Sequence, residues 1–130
     1  MQEVYEFLKK CGSYFLATMD GDQPRVRPFG TVDIFENKLY FQTGKVKNVS
    51  KQIKLNPKIE ICSMLDDKWI RVEAAAIEDD RVEVQQQMLD AYPSLQKIYA
   101  AGDGNTEVFY LKNATATISS FTNAPQVIKF

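Results

Sequence analysis

The residues of this sequence that could do chemistry are concentrated in a basic stretch between positions 25 and 59. Eight of the chain's 16 lysines and arginines lie there with two of its 17 acidic residues, which gives the stretch a net charge of +6. The remaining eight basic and 15 acidic residues leave the rest of the chain at −7. Clustered cations favour phosphate, most strongly where a helix N-terminus adds backbone N–H donors. We therefore predict a phosphate-anchored cofactor site.

Arg25 and Arg27 are the residues of this stretch best suited to hold an anion. Strand residues two positions apart point to the same face of a sheet. Each guanidinium group can bind two phosphate oxygens at once. The Arg-x-Arg spacing therefore predicts that both side chains reach one anion. A solvated outer strand face is the alternative interpretation of the same pattern.

The sequence lacks the residues of most active sites that work without a cofactor. It contains no histidine and two cysteines, Cys11 and Cys62. These counts exclude Ser-His and Cys-His nucleophile pairs and supply too few ligands for zinc. We expect both thiols to be reduced and buried. We predict no metal site and no acid–base catalytic residue, so the chemistry is expected to come from a bound cofactor.

Length and composition limit the class of protein. The chain has 130 residues, of which 45% are hydrophobic and 25% charged, as in folded globular domains, so we predict one domain over residues 1–130. Its net charge of −1 argues against a general nucleic-acid-binding protein. The sequence contains no apolar run of membrane-spanning length and no signal peptide, so we expect a cytoplasmic protein without a membrane partner.

Turn residues and hydrophobic patterns divide the chain into short strands and a few helices. We predict a helix that ends near Lys10, a second with an apolar stripe of Val46, Val49, Ile53 and Leu55, and a third over 82–92. Strands are predicted over 14–19, 23–34, 39–43, 59–64, 69–77, 107–112 and 115–121, the last two as a hairpin across Asn113. Pro24 and Pro28 indicate that the second strand lies at a sheet edge, at a bulge or with its backbone exposed to a ligand. Six or seven antiparallel strands predict a mainly β fold, a closed or nearly closed barrel with short helices.

Four stretches carry a resemblance to a known family. They are FLATMDGDQPRVRPFG, LYFQTGKVKNVSKQIKLNPKIEICSM, WIRVEAAA and VFYLKNATATISSF, and together they span nearly the whole chain. Their order and spacing resemble the FMN-binding split-barrel superfamily of pyridoxamine 5′-phosphate oxidase and its relatives. The short length and the final stretch are most similar to the NimA/NimC-type and general-stress-type flavin proteins. The resemblance implies a split barrel, FMN as cofactor, and a homodimer with two cofactor sites at the subunit interface.

The resemblance also implies which residues bind the cofactor. In the family, the strand equivalent to Arg25, Val26, Arg27, Pro28 and Phe29 runs along the flavin, with its basic side chains on the phosphate. A second element brings a strand end and a basic helix start to that phosphate, and here it corresponds to Gln42, Thr43, Lys47, Asn48 and Lys51. Asn48 departs from the family, where a second basic residue is common, and Lys45 or Lys51 could compensate. Trp69 aligns with a family glutamine that meets the flavin, and an aromatic ring there could cover the flavin ring.

Three hypotheses for the function follow. The first is a flavin-dependent oxidoreductase that reduces a small acceptor, of which nitroaromatic compounds are one class, although the histidine usual in Nim-type relatives is missing. The second is a binding or storage module for FMN or another cofactor. The third is a cofactor-less dimeric barrel that acts through protein contacts or binds single-stranded nucleic acid. FMN and a deazaflavin both satisfy the predicted phosphate site.

Overall fold

Eight β-strands in one antiparallel sheet dominate the computed structural model of the chain, which describes residues 1–130. The strands are β1 Tyr14–Asp20, β2 Gln23–Phe29, β3 Asp33–Phe35, β4 Lys38–Gly44, β5 Lys58–Leu65, β6 Lys68–Asp79, β7 Thr106–Ser120 and β8 Gln126–Lys129. The helices are α1 Gln2–Cys11, α2 Asn48–Leu55 and α3 Val82–Ala91, and α3 leads into a 3-10 helix, Pro93–Lys97. The mainly β fold class is confirmed. None of the helices has the length and apolar character needed to cross a membrane.

The sheet curls into a barrel that has one open seam. Its strands are ordered β2-β1-β5-β6-β7-β4-β3, and β8 is added on β7. β2 is therefore an edge strand, as its two prolines predicted. The free edge of β2 approaches β4, and the ring of Phe29 meets the ring of Phe41 edge-on at 5.4 Å. The Thr31 hydroxyl accepts a hydrogen bond from the Gln42 N–H at 3.0 Å. Thr31 follows β2 and continues the register of β3 with β4, whereas β2 itself forms no ladder with β4, so the fold is a split barrel.

Alternating side chains fill the barrel and leave its outer face open. In β1, Tyr14, Leu16 and Thr18 point inward and are buried, whereas Phe15 points outward and is half exposed. Tyr14 and Leu16 belong to a hydrophobic core of 19 buried side chains, to which α1 and α2 also contribute. A smaller cluster packs α3 against the opposite face of β4 and β7, and it consists of Tyr40, Val84, Met88 and Val108. α3 is therefore held where the chain that follows it can return to the seam.

The predicted number of strands, six or seven, was wrong. The predicted strand over 23–34 is two strands, because the chain leaves β2 after Phe29 and pairs again as β3. The tail near Val127 forms β8, which pairs with β7. The predicted hairpin across Asn113 does not exist, since β7 runs unbroken from Thr106 to Ser120. Asn113 does have a turn-like φ of 53°, but it lies within one strand and does not reverse the chain.

A bulge interrupts the pairing of the two longest strands, β6 and β7, near their middle. The register between them shifts between Glu73 and Ala75, close to Asn113 of β7. On the N-terminal side of this register shift, the first half of β7 also pairs with β4. On the C-terminal side, the second half of β7 also pairs with β8. Each of these strands therefore contributes to both halves of the barrel.

Helix α2 is shorter than predicted, and half of its expected apolar stripe is exposed. Val49 and Ile53 are buried, as predicted, but Val46 precedes the helix and is 72% exposed. Leu55, in the last turn, is 90% exposed. Two polar residues, Ser50 and Gln52, take the buried positions instead, because partners for their side chains lie under the helix.

Candidate functional site

Two clefts meet at Arg27 and Lys47, which line both of them. The larger cleft has a volume of about 440 Å³ and follows the open seam between the end of β2 and the end of β4. The smaller cleft, of about 390 Å³, lies between β2 and the start of α2. The structure therefore brings together most of the predicted site residues, although they come from separate parts of the chain.

The Arg27 side chain is held in one orientation by neutral groups. Its Nη1 donates to the Thr18 hydroxyl at 2.8 Å, and its Nη2 donates to the Gln52 side-chain oxygen at 2.8 Å. The Thr18 hydroxyl in turn donates to the same Gln52 oxygen at 2.5 Å. No carboxylate forms an ion pair with Arg27. Burial, with the neighbouring Arg25 charge, lowers the pKa of the Arg27 guanidinium. Its positive charge is oriented but not neutralised, which suits an anionic ligand.

Arg25 leaves β2 on the same face as Arg27, as the spacing predicted. The two residues lie opposite Thr18 and Leu16 of β1. Arg25 is more exposed and its Nε lies 3.2 Å from an Asp20 carboxylate oxygen. Both arginines and Asp20 line the smaller cleft, so Arg25 would have to share its charge between this carboxylate and a ligand. That both arginines reach one anion stays a prediction.

The N-terminus of α2 faces the smaller cleft without a cap from the protein. Lys47 is the N-cap residue and makes no capping hydrogen bond through its side chain, and no acidic residue lies in the first turn. The first N–H groups of a helix have no partner within the helix, and they favour an anion. Lys47 forms no ion pair, and Asn48 lines the same cleft. Lys51, one turn further along, is exposed and lines neither cleft.

The strand end predicted to contribute to the site does so through Gln42 and Thr43. Both residues are buried and line the larger cleft. Gln42 Nε2 donates to the Thr43 carbonyl at 2.9 Å and to the Thr106 hydroxyl at 3.1 Å. A carbonyl only accepts, so this contact fixes the amide orientation and leaves the Gln42 oxygen free for a ligand. Pro28 and the half-buried Phe29 line the opposite side of the seam.

The outer wall of the larger cleft was missed by sequence reasoning. The segment from Tyr92 to Tyr99, which includes the 3-10 helix, supplies it with Ser94, Leu95 and Ile98. The Tyr92 hydroxyl fastens the segment to the barrel, since it accepts from the Val32 N–H and donates to the Val32 carbonyl, both at 3.0 Å. Lys9 Nζ also donates to this hydroxyl at 3.2 Å. The local pattern around Tyr92 gave no sign of this contact, because Val32 lies 60 residues earlier.

A buried carboxylate beneath α2 fixes the helix on the sheet. The Ser50 hydroxyl donates to Glu107 Oε1, and Lys54 Nζ lies 3.0 Å from Glu107 Oε2. Burial, followed by the nearby Glu107 carboxylate, raises the pKa of Glu78 above its usual range. Glu107 lies opposite Thr43 in the pairing of β7 with β4. The helix start and the strand end that line the clefts are thus attached to one buried group.

Trp69 does not lie in this site. It is on the outer face of β6, opposite Met64 and Ser119, with its ring 5.1 Å from that of Phe121. It lines neither cleft, so its predicted contact with a cofactor would require the cleft of a second chain. No cluster of side chains suited to a metal ion is present.

Comparisons with known proteins agree with this fold. The family model described as pyridoxamine 5′-phosphate oxidase matches residues 1–119. A NimC/NimA family protein from Clostridium acetobutylicum has a similar structure, with a TM-score of 0.97 and 43% identity over 100% of this chain and 92% of that chain. General Stress Protein 26 from Bacillus anthracis superposes with a TM-score of 0.77 at 17% identity, over 99% of this chain and 98% of that one.

A putative pyridoxamine 5′-phosphate oxidase from Listeria innocua, with a TM-score of 0.67 and 12% identity, covers 94% of this chain and 98% of its own. These last two similarities concern the fold alone. No curated protein sequence matches the chain. The family model, which covers all but the last residues, and the 43% identical NimC/NimA protein decide the family. The chain belongs to the pyridoxamine 5′-phosphate oxidase family of split barrels.

Proposed function

We propose that the protein is an FMN-binding flavoprotein that works as an oxidoreductase of a small acceptor. The observation that carries the proposal is the position of Arg27. Its oriented, unpaired guanidinium lies where a cationic cleft joins a less polar one. A ligand that fits both clefts has an anionic end and a mainly apolar body, which is the description of a flavin mononucleotide.

The smaller cleft fits a phosphate group. Arg25, Arg27 and Lys47 supply positive charge, and the uncapped start of α2 adds backbone donors. Asp20 is the one acidic residue at this cleft, and Arg25 already pairs with it. Asn48, which stands where relatives commonly have a basic residue, can donate a neutral hydrogen bond. The phosphate would therefore bind mainly through Arg27 and Lys47.

The larger cleft fits a planar ring. Its volume of about 440 Å³ lies within the range of small-molecule sites, which is roughly 300–1,000 Å³. Phe29, Leu95 and Ile98 offer apolar surface, and the free oxygen of Gln42 and the Thr43 hydroxyl offer hydrogen bonds at the inner side. Bound there, FMN would supply reversible electron transfer, while the protein binds it, orients it and limits its contact with water. A small planar acceptor, with nitroaromatic compounds as one class to test, would share this space.

We also propose that two copies of the chain form a homodimer. The outer face of β2, β1, β5 and β6 exposes Phe15 by 51%, Val26 by 68% and Met64 by 64%. The strand register places these residues on the same face as Trp69. An apolar face of this kind supports a self-complementary contact, in which the same patch of each copy is covered. Such a dimer would bring a second chain's Trp69 and Phe121 towards a cleft.

A binding or storage module for FMN is the second candidate. It is favoured by the lining of the larger cleft, where Arg27 and Lys47 are the charged residues and tyrosine hydroxyls are the other titratable groups. Such a lining can hold a flavin without assisting proton transfer to a substrate. Turnover distinguishes the two candidates.

The test begins with flavin binding by the purified protein in its native oligomeric state. Titration with FMN and with riboflavin should show tighter binding of FMN, because riboflavin lacks the phosphate. Gel filtration with absorbance detection should show flavin eluting with a dimer. Reduced protein is then mixed with nitroaromatic, quinone and flavin acceptors. Equal affinity for FMN and riboflavin would refute the phosphate site, and tight FMN binding without oxidation by any acceptor would favour the storage module.

A further inference from the structure

Tyr99 is a buried residue of the larger cleft whose hydroxyl has no partner in the chain. The residue is 8% exposed and lines the cleft. Its backbone N–H donates to the Leu95 carbonyl at 2.8 Å, but its hydroxyl takes part in none of the chain's hydrogen bonds. The hydroxyl oxygen is not among the fully buried atoms that lack a partner, so it reaches the space of the cleft, where water or a ligand can bond to it. A hydroxyl in this state suggests that something other than the chain provides the partner.

Gly44 allows the Tyr99 hydroxyl to occupy this position. A Cβ atom on Gly44 would lie 3.1 Å from the hydroxyl oxygen and 3.3 Å from the ring of Tyr99. It would also lie 3.2 Å from the side-chain oxygen of Asn105, which already accepts a hydrogen bond from the Val46 N–H. A larger residue at position 44 would require Tyr99 or Asn105 to shift by a few tenths of an ångström. The hydroxyl is therefore packed closely against the end of β4, beside the cleft-lining Gln42 and Thr43.

The neighbouring polar atoms indicate what kind of ligand would satisfy the hydroxyl. Gln42 presents a free acceptor oxygen, Thr43 presents a hydroxyl that can donate or accept, and Tyr99 presents a donor. All three belong to the cleft that lies away from the cationic end. They suit the edge of a planar heterocycle on which carbonyl oxygens and N–H groups alternate. A purely hydrocarbon ring would leave all three unsatisfied.

We propose that the Tyr99 hydroxyl donates a hydrogen bond to an acceptor atom on the ring edge of the ligand in the larger cleft. The inference rests on the proposed function, since that ligand is taken to be the flavin. It adds a ring-recognition residue that acts independently of the phosphate. Tyr99 is thereby distinguished from Arg27 and Lys47, whose contribution depends on the phosphate.

The test compares Tyr99→Phe with Tyr92→Phe in the full-length protein. Tyr99→Phe should raise the Kd for FMN and for riboflavin by the same factor, about three- to tenfold, as the loss of one hydrogen bond predicts. Because the hydroxyl has no partner in the chain, the ligand-free variant should be about as stable to heat as the wild type. Tyr92→Phe is the matched control, since its hydroxyl bonds to Val32, and the ligand-free protein should lose stability.

The outcomes separate this inference from the proposed function. If the wild type binds FMN and Tyr99→Phe leaves both Kd values unchanged, the role of Tyr99 is wrong and the proposed function stands. A loss of stability in ligand-free Tyr99→Phe would also overturn it, because the hydroxyl would then have a partner in the protein, such as Asn105. A wild-type protein that binds neither FMN nor riboflavin would overturn both proposals.

Discussion

The side-chain oxygen of Gln52, on α2, accepts a hydrogen bond from Arg27 Nη2, on β2, at 2.8 Å. The guanidinium group is a donor only, so the Gln52 amide must present its oxygen to Arg27. Its Nε2 is then left without a partner in the chain, and the residue lines the smaller cleft. Gln52 thus orients the main cation of the proposed phosphate site and keeps a donor of its own beside that site.

Replacing Gln52 should therefore weaken phosphate recognition. We expect Gln52→Leu to raise the Kd for FMN by about tenfold, the cost of losing one or two hydrogen bonds near a charge, and to leave riboflavin affinity nearly unchanged. Gln52→Glu is the informative companion, because its carboxylate would pair with Arg27 and repel phosphate. It should weaken FMN binding further. Titrations followed by flavin fluorescence measure both effects, and tighter FMN binding by Gln52→Glu would contradict the phosphate assignment.

Removing both unpaired cations at the junction of the clefts should abolish flavin retention. We expect Arg27→Ala combined with Lys47→Ala to bind FMN at least 100-fold more weakly, since two charge-assisted contacts are lost. Lys51→Ala is the matched control, because it removes one positive charge from α2 at a position outside both clefts. Flavin absorbance after gel filtration reports retention, and circular dichroism checks the fold. Undiminished FMN binding by the double variant would refute the proposed phosphate site.

Asp79 should make the stability of the protein sensitive to acid. Its carboxylate accepts hydrogen bonds from Arg81 at 2.9 Å and from Tyr40 at 2.8 Å. The Arg81 bonds, more than any other contact, lower the pKa of Asp79 to about 2. Because folding lowers the pKa of Asp79, its carboxylate stabilises the folded state at pH values above the unfolded-state pKa near 4. This stabilisation is lost as the pH falls towards 2.

Asp79→Asn should accordingly lower the free energy of unfolding at pH 7 by about 1–2 kcal/mol, a figure reduced for the partial exposure of Arg81. The difference from the wild type should shrink as the pH falls from 5 to 3. Urea denaturation at several pH values measures it. A difference that stays constant over this range would show that the carboxylate charge contributes nothing.

Glu78 should have the opposite dependence on pH. Burial and the adjacent Glu107 raise its pKa, so the folded state resists its ionisation. The stabilisation that goes with a raised pKa is present in acid and is lost as the pH rises through the folded-state value. Glu78→Gln should therefore be as stable as the wild type or slightly more so at pH 7, by less than about 1 kcal/mol. This advantage should vanish near pH 4. A variant clearly less stable at pH 7 would mean that the ion pair with Lys45, whose Nζ lies 3.9 Å from a Glu78 carboxylate oxygen, outweighs the burial.

The turns of this fold were predictable because a few residue types form them. Gly21 and Asn37 both adopt a φ of 62° in tight connections between strands, as the Asp-Gly and Glu-Asn-Lys sequences indicated. The same rule led to the wrong prediction of a hairpin across Asn113, since its φ of 53° is typical of a turn. In β7 the chain continues past it because the segments on both sides of Asn113 find strand partners. The local sequence indicates the backbone conformation of a single residue, whereas segments far away in the sequence determine which strands pair.

Charge and strand parity predicted part of the candidate site but not all of its residues. Arg27 was predicted from the clustered charge and the Arg-x-Arg spacing, whereas Lys47 was implied by the family resemblance. Gln52 could have been noticed, since it lies on the buried side of α2 beside Val49 and Ile53, where a polar residue needs a partner. Tyr99 gave no such signal. Its role depends on the close approach to Gly44, which lies 55 positions earlier in the chain.

The continuity of β6 and β7 through both halves of the barrel affects how the protein unfolds. Since each strand runs through both halves of the barrel, neither half can lose its hydrogen bonds while the other keeps its strands intact. The fold therefore has no internal boundary along which it could open in stages. Loss of structure should be cooperative, with the slowest amide hydrogen exchange along these two strands. The clefts lie at the seam, away from this shared backbone, so opening of the segment from Tyr92 to Tyr99 requires loss of the Tyr92–Val32 hydrogen bonds but of no strand pairing within the barrel.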